Sequence, residues 1–295
     1  MDALALTDQH GLTGAVEFYD ACLAVGVRPI LGLELPVTLP AGELAAGVDP
    51  LVLLAMDLTG WASLCRLSSA LLTAAERDPT QGLPIEQLTQ HTAGLIGLTG
   101  GARGAITRLV EVGQEPAALN HVSRLRELFP DRLYVMLESH TPEDGARASH
   151  LADLARRSRL PIAAAHDIHY LDPSQADLQR VLTAMRLNQP LNELPPQAPA
   201  PPGAHWLTSA EMTERFADFP EALAAEALAA TREIADRCQL QLPLGQPHYP
   251  EIPLPPGVTA GEALRQKAEA GARKLYGALT PEIGARLEHE LSVIG

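Results

Sequence analysis

Aromatic residues are scarce in this chain, only 4 % of its 295 residues. Hydrophobic residues still make up 46 %, so any core must be aliphatic and rich in alanine. The length suits one large domain or two smaller ones. Cysteine is scarce as well. Cys22, Cys65 and Cys238 are odd in number, far apart and never in a Cys-x-x-Cys pair. That argues against a disulfide framework or a thiolate zinc site, and predicts buried, reduced thiols in a cytoplasmic protein. Basic charge is short: 22 Lys and Arg stand against 36 Asp and Glu, a net charge of −14. Such a surface repels phosphate backbones, which argues against the whole chain gripping DNA by itself, although a local basic groove remains open. No apolar run reaches the roughly 20 residues that cross a bilayer. No basic segment opens the chain, so neither a membrane partner nor a secretory signal is expected.

Short apolar runs that read as buried strands fall at 3–6, 27–35, 51–55, 95–98, 133–137 and 161–165. Helical spacing of apolar residues fills most of the gaps, over 14–25, 61–72, 103–112, 116–128 and 143–157. Strands alternating with helices imply a parallel α/β architecture. Five or six strands are too few for a complete eight-stranded barrel. Beyond Tyr170 the strand signals fade. Helices are expected at 174–187 and 209–217, the second opened by a Thr208-x-x-Glu211 capping box. Between them, residues 195–203 form a stiff proline-rich loop. A long amphipathic helix follows at 221–238, then a proline-rich connector at 243–256. The segment 257–295 carries two more apolar helical stripes. These features predict a barrel with helical extension over 1–247, and a linker with two helices over 248–295. Both ends look cut: an apolar run follows Met1-Asp2 at once, and the last helix has no polar tail.

The chemistry-bearing residues cluster just after the strands. They are Thr7-Asp8-Gln9-His10, Glu34, Glu138-Ser139-His140 and His166-Asp167-Ile168-His169. In barrels of parallel strands the loops after the strands converge on one mouth. Carboxylates and imidazoles gathered there could hold metal ions.

These stretches carry a resemblance. Ala5-Leu6-Thr7-Asp8, Leu12-Thr13-Gly14-Ala15-Val16-Glu17-Phe18 and Val27 to Glu34 resemble the PHP (polymerase and histidinol phosphatase) domain of bacterial DNA polymerase III alpha subunits and their error-prone relatives. The likeness continues through Leu51 to Ala55, Gly94 to Gly101, Asp167 to Leu171, Thr208 to Met212, Pro220 to Leu223 and Arg286 to Ile294. It implies a distorted (β/α)7 barrel followed by a helical extension, here truncated at its N-terminus. It also implies a mouth that in active members holds zinc, manganese or magnesium and hydrolyses phosphoesters, including 3′–5′ exonuclease action. The partners it implies are the polymerase core of the same polypeptide and a proofreading exonuclease subunit, with DNA met only through the full polymerase.

Carried over position by position, Glu34, Asp167 and His169 match family metal ligands, and Asp8 matches the acid of the Thr-Asp-His motif. Where that motif has its histidine, this chain has Gln9, with His10 one place later. A second family histidine is Pro50, and the family cysteine is Gly101. The opening His-x-His motif has no counterpart. The metal-site candidates are therefore Glu34, Asp167 and His169, joined by Asp8, His10 and His140 as weaker ones. So reduced a set predicts weak metal binding or none, and no catalytic residue stands out.

His91, His121, His150, His205, His248 and His289 lack ligand spacing and are expected at the surface or as caps. The stripes at 223–238 and 283–291 read as core or interface faces, whose partners the resemblance places in a polymerase core. The expected function is a structural PHP module of a DNA polymerase III alpha-type polymerase, replicative or error-prone. Its alternatives are an active metal-dependent phosphoesterase and a free-standing binding protein from a split polymerase gene.

Overall fold

The computed structural model describes residues 1–39, 47–73, 81–140, 144–195, 198–247 and 252–294. Residue 143 of one expected helix, residues 196–197 of the proline-rich loop, and residues 248–251 of the connector, His248 among them, lie outside the described residues. The chain divides into two compact units, Met1–Leu242 and Pro243–Gly295.

The first unit begins with β1 (Ala3–Leu6), α1 (Ala15–Ala24), β2 (Arg28–Thr38), β3 (Val48–Ala55) and α2 (Leu58–Leu72). Next come β4 (Leu83–Pro84), α3 (Ile85–Leu88), β5 (Leu95–Leu98), α4 (Ala105–Glu111) and α5 (Glu115–Leu128). It ends with β6 (Leu133–Glu138), α6 (Asp144–Ser158), β7 (Ile162–Ala165), α7 (Ala176–Leu187), α8 (Ser209–Arg215) and α9 (Glu221–Arg237). The strands form one curled sheet of the PHP-barrel type, in the order β1-β2-β3-β5-β6-β7, with the short β4 beside β2.

The sheet is mixed, where alternation of strands and helices predicts a parallel one. β3 runs antiparallel to both β2 and β5. β2 extends to Thr38 and β3 starts at Val48, so the connection is too short for the dozen or more residues a parallel crossover needs. Pro36, Asp49 and Pro50 hide these strand ends in the sequence, because proline and aspartate are depleted in strands. Pro36 and Pro50 in fact face each other in the register.

Alternation along the strands gives the sheet two apolar faces. Leu31, Leu33, Leu35, Leu53, Val135 and Leu137 point outward into a core shared with the surrounding helices. Ile30, Leu54, Ile96, Tyr134, Met136 and Ala163 point the other way, and there they meet Ala230, Ile234, Ala235 and Cys238 of α9. The α9 stripe thus finds its partner inside this chain, which corrects the expectation of an outside one for 223–238. Small residues suit that place, because alanines let a helix sit close against the inner strands. Ion pairs at the helix ends tie it across the sheet: Arg28 meets Asp236 at 3.0 Å, Arg232 meets Asp2 at 2.7 Å, and the Tyr134 hydroxyl donates to Glu233 at 2.6 Å. Burial pushes the Cys238 thiol up to about 12, so it stays an inert, packed side chain.

Two details fix the strand-end loops. Thr208 and Glu211 form the expected reciprocal cap at the start of α8. His121 is buried, not at the surface: its Nε2 lies 2.7 Å from Asp49 Oδ2, and both side chains are at most 4 % exposed. The other oxygen of Asp49 accepts the Ala105 N–H at 2.8 Å, which holds the start of α4 against β3.

The second unit contains α10 (Ala260–Tyr276) and α11 (Pro281–Ile294). Thr259 and Glu262 cap α10 reciprocally, and Arg265 pairs with Glu288 across the two helices. Leu287 and Leu291 are half-buried, and among the described residues only Ala272 of this unit is fully buried. No helix among the described residues is long and apolar enough to cross a membrane.

Candidate functional site

A cavity of about 880 Å³ opens where the ends of β1, β6 and β7 come together with β2. Glu34 stands in mid-strand rather than at a strand end, because β2 runs on to Thr38. Its neighbours Leu33 and Leu35 point into the outer core, so the period of two turns Glu34 into the cavity. Glu138 is the last residue of β6. His166 to His169 leave β7, and the His169 N–H donates to the Ala204 carbonyl at 2.9 Å. The loop is thereby pinned.

Five of the six sequence candidates line this cavity: Asp8, Glu34, His140, Asp167 and His169. His10 does not. It takes a left-handed backbone conformation, φ 69°. Its N–H donates to the Glu34 carbonyl at 3.1 Å, and its carbonyl accepts from Ser68 at 3.1 Å.

Sequence reasoning passes over one further cavity residue and places a second among the strand-end acids without giving it a role. Arg103 reaches in from the turn after β5, and its Nη2 lies 2.6 Å from Glu34 Oε2 and 3.8 Å from Asp167 Oδ2. An arginine in a glycine-rich turn matches no ligand pattern, so nothing singles it out. The second is Glu138. Burial pushes its carboxyl up to about 7, partly offset by the hydrogen bond its Oε2 accepts from the Ala102 N–H at 2.7 Å. Its position after an apolar run is legible in the sequence, but its partners are not.

Several of the polar groups are engaged with one another. Gln9 Nε2 donates to Glu34 Oε1 at 3.0 Å, so both oxygens of Glu34 are taken. His169 Nε2 lies 2.9 Å from Asp167 Oδ2. Burial pushes the Asp167 carboxyl up, but His169 and the Arg103 charge outweigh it and hold it below the usual carboxylate range. The hydrogen bond to Asp167 in turn raises His169 above the usual imidazole range. His140 behaves oppositely: burial holds it down to about 4, so it is neutral at neutral pH. His166 is lowered for the same reason, while its Nε2 donates to the His205 carbonyl at 2.8 Å.

Among the described residues, no three His, Cys, Asp or Glu side chains are placed to hold one metal ion. Gly101, the position that the resemblance aligns with a family cysteine, has little room for a side chain. A Cβ on Gly101 would lie 2.3 Å from Glu138 Oε2, and Gly101 has φ +55°. A side chain at Gly101 would therefore need the ends of Glu138 and Met136 to move aside.

Fold and site together define a PHP-type domain with an acid- and histidine-lined mouth. Comparison with known proteins agrees: residues 1–140 match the family described as the PHP domain, and the chain carries a PHP domain over those residues. Over 99 % of its length it is 32 % identical to the DNA polymerase III subunit alpha of Bacillus subtilis, covering 25 % of that protein. Over its full length it is 32 % identical to the error-prone DNA polymerase of Symbiobacterium thermophilum, covering 27 %. The DNA polymerase III subunit alpha of Escherichia coli is 31 % identical over the full chain, with 26 % of it covered. The chain is homologous to these polymerases and spans about a quarter of the length of each.

Proposed function

We propose that this chain is the PHP module of a DNA polymerase III alpha-type, DNA-directed DNA polymerase, working in replication or translesion synthesis. Its part is structural: it braces the polymerase core and offers a surface for a proofreading subunit, and it does not itself hydrolyse phosphoesters. The observation that carries this reading is the state of Glu34, whose two carboxylate oxygens are taken by Gln9 and Arg103. Clustered cations in a hydrolytic centre would need such oxygens to hold them while they activate a water. With Glu34 and Asp167 engaged by Gln9, Arg103 and His169, the mouth is a polar strut between strands.

The test is hydrolysis of a 3′-labelled single strand and of a simple phosphomonoester, with Mn²⁺, Mg²⁺ or Zn²⁺ added. The expected result is background turnover that Asp167→Ala and His169→Ala leave unchanged. Metal-stimulated turnover abolished by either substitution would sink the structural reading.

One observation favours a second reading, an active phosphoesterase. Both ring nitrogens of His140 and Nδ1 of His166 are buried with no hydrogen-bond partner among the described residues. The two ring centroids are 4.9 Å apart, close enough for both to reach one ion. The same assay decides it, with His140→Gln as the variant that would lose activity.

A further inference from the structure

We infer that Arg103 is itself the cation of this mouth: its guanidinium holds Glu34 and Asp167 together, and a divalent ion can take their oxygens only when the guanidinium is gone. The inference rests on the structural reading above and names the group that replaces the metal.

Four hydrogen-bonded or ionic links run in series from Gln9 to Glu34, Arg103, Asp167 and His169. Arg103 is the middle of that series. One guanidinium nitrogen faces both carboxylates, at 2.6 and 3.8 Å. The backbone beneath it is pinned from both sides. Ala102 N–H donates to Glu138 at 2.7 Å, and Thr107 Oγ1 donates to the Gly101 carbonyl at 2.6 Å. The Arg103 carbonyl accepts from Arg108. These bonds fix the backbone from which the Arg103 side chain, 47 % exposed, reaches toward the two carboxylates. The neighbouring Arg147 is spent elsewhere, on Asp144 and Glu111.

The chemistry matches. Glu34 is 15 % exposed at its side chain, so water screens it poorly, and a partly buried carboxylate requires a counter-charge. A guanidinium is charged at every relevant pH and forms directed bonds to carboxylate oxygens. Once it is removed, two carboxylates and an imidazole remain, donor types that suit manganese or zinc if they close over the space the guanidinium leaves; with Arg103 in place no three such groups among the described residues are set to hold one ion.

The experiment uses the whole chain with Arg103→Met and Arg103→Lys, thermal unfolding with and without MnCl₂, and calorimetric titration of MnCl₂. Wild type and Arg103→Lys are expected to show no shift on adding Mn²⁺. Arg103→Met is expected to melt about 2–4 °C lower, to regain that loss with Mn²⁺, and to bind one ion that is lost when Glu34→Gln is added. An Arg103→Met protein that melts like wild type, or ignores Mn²⁺, overturns the inference. So does a wild-type shift as large as the variant's. If Arg103→Met does not fold, the triple variant with Glu34→Gln and Asp167→Asn removes the charges that lost their partner and is expected to fold. Failure of the triple variant also overturns it. A silent Arg103→Met leaves the structural reading standing, whereas metal-stimulated hydrolysis by wild type sinks that reading whatever Arg103 does.

Discussion

Replacing Asp49 by Ala is expected to destabilise the first unit by about 3–5 kcal/mol, the range for breaking a buried polar pair by removing one partner. Asp49 is 1 % exposed and serves two elements at once. One oxygen holds His121 of α5 at 2.7 Å, the other the Ala105 N–H at the start of α4 at 2.8 Å. Alanine leaves the imidazole and the N–H buried with no acceptor, and each orphaned group costs about 1–3 kcal/mol. Asp49→Asn keeps an acceptor and is expected to cost less than half as much. Urea unfolding followed by circular dichroism measures both. A loss below about 1 kcal/mol in Asp49→Ala would show that water replaces the carboxylate and that the pair does not hold the helices.

Glu138→Gln is expected to do the opposite and stabilise the protein, by on the order of 2–3 kcal/mol at alkaline pH. Burial raises the Glu138 carboxyl from 4.5 to about 7. The unfolded chain ionises this group near 4.5 and the folded protein only near 7. Its favourable contribution is therefore complete below pH 4.5 and lost as pH rises through about 7. Above that, the folded protein carries a poorly solvated carboxylate, which glutamine avoids while still accepting the Ala102 N–H. His140 slopes the other way. Its imidazole falls from 6.5 to about 4, so stability is whole above 6.5 and declines as pH falls toward 4. Melting temperature from pH 4 to 9 for wild type, Glu138→Gln and His140→Gln separates the two. Parallel wild-type and Glu138→Gln curves would mean that water in the cavity solvates the carboxylate fully.

Part of this architecture is legible in the sequence, and the reason is periodicity. Apolar runs mark β1, β5, β6 and β7, and the acids and imidazoles after them mark the mouth, because parallel strands deliver their loops to one side. Glu34 is found as a strand-end acid and again by the family pattern, although its strand-end placing is wrong, since β2 runs four residues past it. The antiparallel placing of β3 is hidden, since prolines and an aspartate mask strand ends that the pairing across the sheet nevertheless tolerates. The burial of α9 is hidden too. An alanine-rich stripe has the same spacing whether its partner is the inner face of a sheet or another protein. Arg103 is invisible because residue type alone points to ligands that bind cations, not to a cation that replaces one. His121 is misplaced for a similar reason: its partner Asp49 lies 72 residues away, beyond any local spacing.

The link between these observations is charge. Glu34 and Asp167 share the Arg103 guanidinium, Asp167 also holds His169, and burial raises the Glu138 carboxyl to about 7, so that it holds a proton more readily than a free carboxylate. A mouth whose acids are paired from within is expected to fold without metal, as the proposed supporting role requires.

The most direct measurement is the metal content of the purified wild-type chain. The protein would be equilibrated with Zn²⁺, Mn²⁺ and Mg²⁺, desalted, and analysed by inductively coupled plasma mass spectrometry. An internally neutralised mouth predicts no stoichiometric metal, in wild type and in Asp167→Ala/His169→Ala alike. Two or more ions per chain in wild type, lost in that double variant, would contradict it and make the mouth a metal centre.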